Sequence, residues 1–240
     1  MNSSAVGPRF DLPIATSPAA QVLDDLDVRL PSMPSIPGLK EPEDAPPVLA
    51  PSAEALVVVA HRRIRTLSNY WHAGWQCARP DTLLRSGAFD RLVAVAEALP
   101  DRFGLAVFDG WRPLDLQAEL FASAYANPEL PAGFVAPPES DPTIPPPHLT
   151  GGTVDLTLTL DGIALAPDGG FDDFTDRAHA DALEEQTGPN RDVRRMLFWA
   201  MRAQGFVVLQ QEWWHFEYGT RRWAAITGDV PLYGPGLPPG

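Results

Sequence analysis

The distribution of apolar residues along the chain predicts strands and helices over most of the sequence. The segment Thr153–Leu160 is the clearest strand, because apolar and polar residues alternate through all of its positions. An apolar run at Leu56–Leu67 and a shorter one at Gly104–Phe108 predict two earlier strands. Toward the C-terminus, Phe206–Leu209 and Trp214–Tyr218 predict two more strands, joined by a short turn.

Helical spacing of apolar residues predicts three helices between these strands. The first covers Phe89–Leu99, and the second covers Pro113–Tyr125, because proline suits the first position of a helix. Asn190 can cap a third helix that runs to Gln204 and stops at Gly205. Since strands and helices follow no strict βαβ rhythm, we predict an α+β fold with a mixed, largely antiparallel central sheet flanked by helices.

Proline divides the chain into regions of different character. Ten of the 27 prolines lie in Pro8–Pro51, where apolar residues follow no sustained period. We therefore expect residues 1–52 to form an irregular Pro-rich N-terminal arm, followed by a folded domain over residues 53–240. Residues 128–147 contain eight prolines and no periodicity, and long loops inside compact domains are often functional. We expect this loop to wall or cover a functional site.

The charge balance narrows the range of partners. A net charge of -13 argues against nucleic acid and against anionic membranes, because binding to phosphates requires clustered Lys and Arg. No apolar run approaches the roughly 18 residues that span a membrane. No secretory signal is evident, and the single Cys77 fits a reducing compartment, so we expect a cytoplasmic location. The sequence does not set the oligomeric state.

Two of the histidines lie close to carboxylates in positions that suggest a metal site. His148 ends the proline-rich loop, and Asp155 follows seven residues later on the polar face of the clearest strand. His215 lies farther along the chain, in the segment Glu212-Trp213-Trp214-His215. Imidazole and carboxylate are suitable ligands for Zn²⁺, and three protein ligands with one water form the usual catalytic arrangement. We therefore take His148, Asp155 and His215 as candidate zinc ligands.

Glu212 is the candidate general base of this site. It precedes His215 by three residues and adjoins two tryptophans. Burial of the Glu212 carboxyl beside these rings would raise its pKa toward the range useful for proton transfer. The alternative interpretation is a glutamate at a strand edge that pairs with Arg221 or Arg222.

Arg112 is a second candidate for a catalytic role. It follows Asp109 by three residues at a predicted corner between a strand and a helix, so its guanidinium is expected to be held in one pose. A fixed guanidinium can stabilise a developing oxyanion. A buried structural ion pair between Arg112 and Asp109 explains the spacing equally well.

Three motifs, in this order, resemble the VanX-type D-alanyl-D-alanine dipeptidases, a family of zinc D,D-peptidases, over about residues 55–220. The motifs are Asp109-Gly110-Trp111-Arg112-Pro113, His148-Leu149-Thr150-Gly151-Gly152-Thr153-Val154-Asp155-Leu156-Thr157-Leu158 and Glu212-Trp213-Trp214-His215. The resemblance implies a mixed α+β fold in which residues 53–240 form a zinc dipeptidase domain. It implies one Zn²⁺ held by His148, Asp155 and His215.

The same resemblance implies roles for three further residues. Glu212 matches the family's catalytic glutamate, Arg112 matches its oxyanion-stabilising arginine, and Asp172 matches the aspartate that receives the substrate ammonium. Pro146 departs from the family, which usually has a small hydroxyl residue two positions before the first histidine ligand. Proline offers no hydrogen-bond donor, so this change bears on how the substrate amine is bound. The family's tyrosine-bearing motif is echoed around Thr66–Tyr70.

The sequence thus predicts zinc-dependent hydrolysis of a small dipeptide, D-alanyl-D-alanine or a related D-amino-acid dipeptide, with no nucleic acid or membrane as partner. One alternative is a peptidoglycan-type D,D- or L,D-carboxypeptidase that acts on longer stems, against which the missing signal sequence argues. A non-haem Fe(II) oxygenase also uses two histidines and a carboxylate, but one residue usually separates its first two ligands. The last alternative is a catalytically weak metal-binding module of the same fold, which intact Glu212 and Arg112 disfavour.

Overall fold

The protein is represented by a computed structural model, which describes Phe10, residues 16–128, Leu130 and residues 133–238. The strands are β1 Thr16–Pro18, β2 Leu56–Val58, β3 Ile64–Thr66, β4 Leu83–Arg85, β5 Phe103–Asp109, β6 Thr153–Leu160, β7 Ile163–Ala166, β8 Val207–Leu209 and β9 Glu212–Glu217. The helices are α1 Ala19–Asp25, α2 Asn69–His72, α3 Ser86–Ala98, α4 Leu114–Ala124, α5 Pro189–Ala203 and α6 Arg221–Thr227, with short 3-10 turns at His148–Thr150 and Asp176–Ala178. Within these ranges, every helix is too short or too polar to cross a lipid bilayer.

Strand β6 is the centre of the main sheet. It pairs antiparallel with β5 along one edge, and its other edge is shared between β9 near Thr153 and β7 near Leu160. β3 adds to β5 and β1 adds to β7, both in parallel, while β8 pairs antiparallel with β9. α3 and α5 pack against this sheet. The predicted α+β class with a mixed, largely antiparallel central sheet is confirmed.

All residues of β6 are buried, including those at the alternating polar positions. A polar side chain inside a protein requires a partner, because burying it without a hydrogen bond is costly. Thr157 satisfies this requirement by donating from Oγ1 to the Leu165 carbonyl at 2.7 Å. Asp155 is the one ionised residue of the strand, and its partners define the site described below.

The single strand predicted over Leu56–Leu67 is wrong. Its two ends form β2, which pairs with β4 in a separate small sheet, and β3, which pairs with β5 of the main sheet. Between them the chain turns at His61, whose carbonyl accepts from the Ile64 amide at 3.0 Å. The residues of this turn include neither glycine nor proline, so the apolar run alone could not reveal it.

The helix that Asn190 is predicted to cap begins two residues earlier than expected. Pro189 occupies its first turn and Gly188 is the N-cap, so the capping role expected of Asn190 is wrong. Proline takes the first helical position because its fixed φ suits the helix and its missing N–H would be unpaired there.

The N-terminal arm lies against the domain. β1 extends the main sheet, and α1 buries Ala19, Val22 and Leu23 in the core beside α5. Residues 26–55 contain no helix or strand, but Ile36 within them is buried in the same core. Over residues 16–52 the arm is therefore irregular apart from β1 and α1, and the boundary near residue 52 stays a prediction.

We expect Gly152→Ala to destabilise the fold, because Gly152 lies where the chain enters β6. A Cβ at this position would overlap the carbonyl oxygen of Tyr218 and lie 2.8 Å from the ring of Tyr233. Overpacking of this kind costs roughly 1–3 kcal/mol of the free energy of unfolding, which urea denaturation would measure. Gly38→Ala is the control, since no atom lies within 4 Å of its Cβ position. Equal stabilities for the two variants would contradict this account of the strand entrance.

Candidate functional site

The register of the sheet brings the candidate metal ligands together. Asp155 of β6 pairs directly with His215 of β9 and with Asp109 of β5. Directly opposed residues of antiparallel strands point to the same face, so these three side chains share one face of the sheet. The 3-10 turn before β6 carries His148 to the same place. Single ligand atoms of His148, Asp155 and His215 all lie within 4.8 Å of one another.

Asp155 lies between the two imidazoles. Its Oδ2 is 3.2 Å from His148 Nε2, and its Oδ1 is 3.1 Å from His215 Nδ1. Ligand atoms around one tetrahedral ion are about 3.3–3.6 Å apart when its bonds are about 2.0–2.2 Å long. The observed separations are close to that spacing, and all three residues are buried.

Outer partners fix which nitrogen of each histidine faces the carboxylate. His148 Nδ1 lies 2.7 Å from the Gly110 carbonyl oxygen, which can only accept, so Nδ1 carries a proton and Nε2 is the nitrogen directed at Asp155. His215 Nε2 lies 3.2 Å from Oε1 of the fully buried Glu217, which leaves Nδ1 directed at Asp155. Histidines that bind metals commonly donate their second N–H to a carbonyl or a carboxylate in this way.

The charges at this point of the structure fit a bound cation. Asp155 Oδ1 is buried and accepts no well-aligned hydrogen bond from the described residues, although His215 Nδ1 lies 3.1 Å away, and a poorly satisfied carboxylate oxygen is costly inside a protein. Although burial opposes its ionisation, His148 lowers the pKa of Asp155. Burial also opposes the charge on His215, but Asp155 and Glu217 raise the pKa of its imidazole to about 10. A metal ion where the ligand atoms converge would satisfy Oδ1 and replace the proton of His215.

Glu212 begins β9 and reaches the same point. Its Oε2 lies 3.5 Å from His215 Nδ1, and its side chain is buried. Burial raises the pKa of Glu212 to about 7, and the negative charge of Asp155 adds to the rise while His215 opposes it. A carboxyl group in this state can both accept and release a proton near neutral pH.

The interpretation of Glu212 as an edge residue paired with an arginine is wrong. Arg222 forms its ion pairs with Glu41 and Glu217, at 2.5 Å and 3.4 Å. Arg221 donates to the backbone carbonyls of Ala45 and Pro46.

Arg112 is buried and held by several partners. Its Nε donates to Asp109 Oδ2 and its Nη1 to Gln117 Oε1, each at 2.9 Å, and its Nη2 donates to the Tyr70 hydroxyl at 3.4 Å. Nη2 also lies 3.8 Å from Asp155 Oδ2, so the guanidinium borders the candidate metal site. The predicted pairing of Arg112 with Asp109 is therefore present, and it orients the guanidinium toward the site.

Asp172 lies across the cavity on the loop between β7 and α5. The Tyr70 hydroxyl donates to its Oδ2 at 3.0 Å. Burial raises the pKa of Asp172 well above its usual value, and the charges of Glu212 and Asp155 raise it further. The guanidinium of Arg194 in α5 fixes this loop by donating to the carbonyls of Pro167, Asp168, Arg177 and His179.

A cavity of about 150 Å³ opens onto these groups. Its polar lining includes Arg112, Asp155, Asp172 and Glu212. Its apolar lining includes Phe10 of the arm, Phe174, and Phe134 and Val135 of the proline-rich loop. The prediction that the loop over residues 128–147 walls the site is confirmed.

Sequence reasoning missed three residues of the site. Tyr70 bridges Arg112 and Asp172, and it lies in the motif that the sequence only echoes. Gln117 lies one turn into α4, where it contacts Arg112. Glu217 could have been found, because it lies two positions after His215 on the same strand and therefore points to the same face.

Comparison with known proteins identifies the family. A sequence profile of peptidase M15, described as D-ala-D-ala dipeptidase, matches residues 83–230. A D-alanyl-D-alanine dipeptidase of Synechocystis sp. is 28% identical over 181 residues, which cover 61% of this chain and 73% of that protein. A D-alanyl-D-alanine dipeptidase of Escherichia coli K12 is 35% identical over 115 residues, which cover 47% of this chain and 54% of that protein.

The matched region contains His148, Asp155, His215, Glu212 and the other residues around the cavity, apart from those of the arm and Tyr70. The resemblance inferred from the three sequence motifs is confirmed. The chain belongs to the peptidase M15 family of D-Ala-D-Ala dipeptidases, and it is a metallopeptidase.

Proposed function

We propose that this metallopeptidase hydrolyses D-alanyl-D-alanine or a related D-amino-acid dipeptide, with Zn²⁺ held by His148, Asp155 and His215. The convergence of buried ligand atoms from three residues carries the proposal, and it is supported by the buried Asp155 Oδ1, which accepts no well-aligned hydrogen bond from the described residues. Two imidazoles and a carboxylate suit zinc, which leaves a fourth position for water. When bound, the metal supplies a Lewis acid that polarises the scissile carbonyl and acidifies water. The names of the two relatives suggest the substrate.

Glu212 transfers the protons of the reaction. Its carboxylate accepts a proton from the attacking water and then gives that proton to the nitrogen of the leaving amine. The buried position beside His215 supports this role, because burial brings the pKa of Glu212 to about 7. A carboxyl group with an ordinary pKa would accept the first proton less readily.

Arg112 stabilises the negative charge that develops on the oxygen of the scissile carbonyl. Asp109 and Gln117 hold two of its nitrogens before any substrate arrives, so little reorganisation is needed during the reaction. Although burial opposes the charge, Tyr70 and Asp109 raise the pKa of Arg112, which therefore stays protonated.

Asp172 receives the ammonium group of the substrate. A cation close to this carboxylate offsets the burial and the neighbouring negative charges that raise its pKa. The small cavity and the buried carboxyl group of Asp172 favour a dipeptide with a free amino terminus over the longer stems of a carboxypeptidase substrate. Pro146, which replaces the hydroxyl residue common in the family, removes one hydrogen bond to the same amine.

Replacement of the proposed base tests the chemical step. We expect Glu212→Gln to lower kcat on D-alanyl-D-alanine by a factor of about 10²–10⁴, because the amide cannot accept the proton of water. Zinc content, measured on the same sample, should remain that of the wild type, since no ligand is changed. Glu185→Gln, at an exposed glutamate, is the control and should keep full activity. A Glu212→Gln variant that retains more than about a tenth of kcat/KM would make this residue structural.

The second variant tests recognition of the substrate amine. We expect Asp172→Asn to raise KM for D-alanyl-D-alanine about 10- to 100-fold, which corresponds to the roughly 1.5–3 kcal/mol of a hydrogen bond to a charged group. It should also reduce the preference for the free dipeptide over its N-acetyl form. Steady-state kinetics on both substrates would measure the two effects.

The neighbouring Asp173→Asn is the matched control for this experiment, and we expect it to keep the wild-type preference. A loss of preference in Asp173→Asn, with Asp172→Asn unchanged, would transfer the role to Asp173.

A further inference from the structure

We infer that Glu41 of the N-terminal arm is a positioning residue for the metal centre, acting on His215 through Arg222 and Glu217. The inference rests on the proposed function, because it takes His215 as a ligand of the metal. It gives the arm a role in the site, although the arm lies outside the part of the chain that matches the family.

A continuous series of charged contacts connects Glu41 to the metal ligand. Arg222 donates from Nε to Glu41 Oε2 at 2.5 Å and from Nη2 to Glu41 Oε1 at 2.7 Å. Its remaining nitrogen, Nη1, donates to Glu217 Oε1 at 3.4 Å. The same Glu217 oxygen lies 3.2 Å from His215 Nε2. One oxygen atom is thus shared between the arginine and the imidazole.

The shared oxygen belongs to a carboxylate with no access to water. Glu217 is fully buried, and its other oxygen accepts from Thr220 Oγ1 at the N-cap of α6. The position of Arg222 therefore decides how much of Oε1 is available to His215. A histidine ligand depends on such an outer carboxylate for its orientation and its basicity.

Glu41, together with the Val208 carbonyl that accepts from Nη2 at 2.5 Å, holds Arg222 at the longer distance from Glu217. A two-point pair between a guanidinium and a carboxylate is strong and has a fixed geometry. Without the negative charge of Glu41, Glu217 becomes the nearest anion for this partly buried cation. A closer contact between Arg222 and Glu217 would compete with His215 for the same oxygen and loosen the imidazole.

Glu41 also reaches β9 by a second contact. Its Oε1 accepts from the backbone N–H of Gln210 at 2.7 Å, in the turn that connects β8 to β9. Glu212 follows Gln210 by two residues, and His215 follows it by five. One carboxylate of the arm therefore supports both the side-chain series and the start of the strand that carries the proposed base.

The arm offers a matched control at a different place. Arg195 of α5 pairs with Glu184 at 2.5 Å and also binds the arm through the Met33 carbonyl and Ser35 Oγ. This cluster fastens the arm to the domain with the same chemistry, but within the described part of the chain no series of contacts leads from it to His215. Glu184→Gln thus weakens the docking of the arm without touching the series through Arg222.

The experiment measures the zinc affinity of the full-length protein by competition with a chromophoric chelator. We expect Glu217→Gln to weaken zinc binding by about 10- to 100-fold, as is typical for the direct outer partner of a ligand. Glu41→Gln, one step farther out, should weaken it by about 3- to 10-fold, below that direct effect. Glu184→Gln should bind zinc as the wild type does. Thermal unfolding of the metal-free variants would show that each one is folded.

Each other outcome overturns the inference in a recognisable way. Wild-type affinity in Glu41→Gln, together with weakened binding in Glu217→Gln, would remove the arm from the site but leave the proposed centre intact. Equal weakening in Glu41→Gln and Glu184→Gln would assign the effect to docking of the arm in general. A wild-type protein that binds no zinc would overturn the proposed function and this inference with it.

Discussion

The buried carboxylate of Asp155 is the constraint on which the rest of the structure depends. It lies in β6, the central strand of the main sheet, where an ionised group without partners would be severely destabilising. Its two oxygens face His148 and His215, and the pairing of β6 with β9 sets the second of these contacts. A slip of one residue between the strands would turn His215 to the opposite face of the sheet. The candidate metal site is therefore assembled only when β6 and β9 pair in the observed register.

Neighbouring carboxylates acquire different properties from their surroundings. His148 lowers the pKa of Asp155 in spite of its burial, whereas burial raises the pKa of Glu212 to about 7 and that of Asp172 well above its usual value. Such a separation of pKa values distinguishes a carboxylate that stays ionised beside a cation from carboxyl groups that can exchange protons or bind a charged partner. Arg112 borders both kinds of group and keeps its own charge.

The sequence predicted those parts of the structure that depend on local patterns. Thr153–Leu160 alternates strictly and forms the predicted strand, and the three motifs identified the residues around the cavity. The reversal of the chain inside Leu56–Leu67 was not predicted, because its turn contains neither glycine nor proline. The roles of Tyr70 and Glu41 were not predicted for another reason. Their contacts join distant parts of the chain, and Glu41 lies 181 residues from Arg222. Periodicity describes the face of an element but not which distant side chain meets it.

The proposed chemistry requires a metal ion at Asp155, and the zinc content of the purified protein tests this requirement most directly. Mass spectrometry of metals, after dialysis against metal-free buffer, would compare the wild type with Asp155→Asn, which keeps the size of the side chain and removes its charge. The account predicts one Zn²⁺ per chain in the wild type and little or none in a folded Asp155→Asn variant. A wild-type protein without zinc, or an Asp155→Asn variant with a full complement, would contradict it.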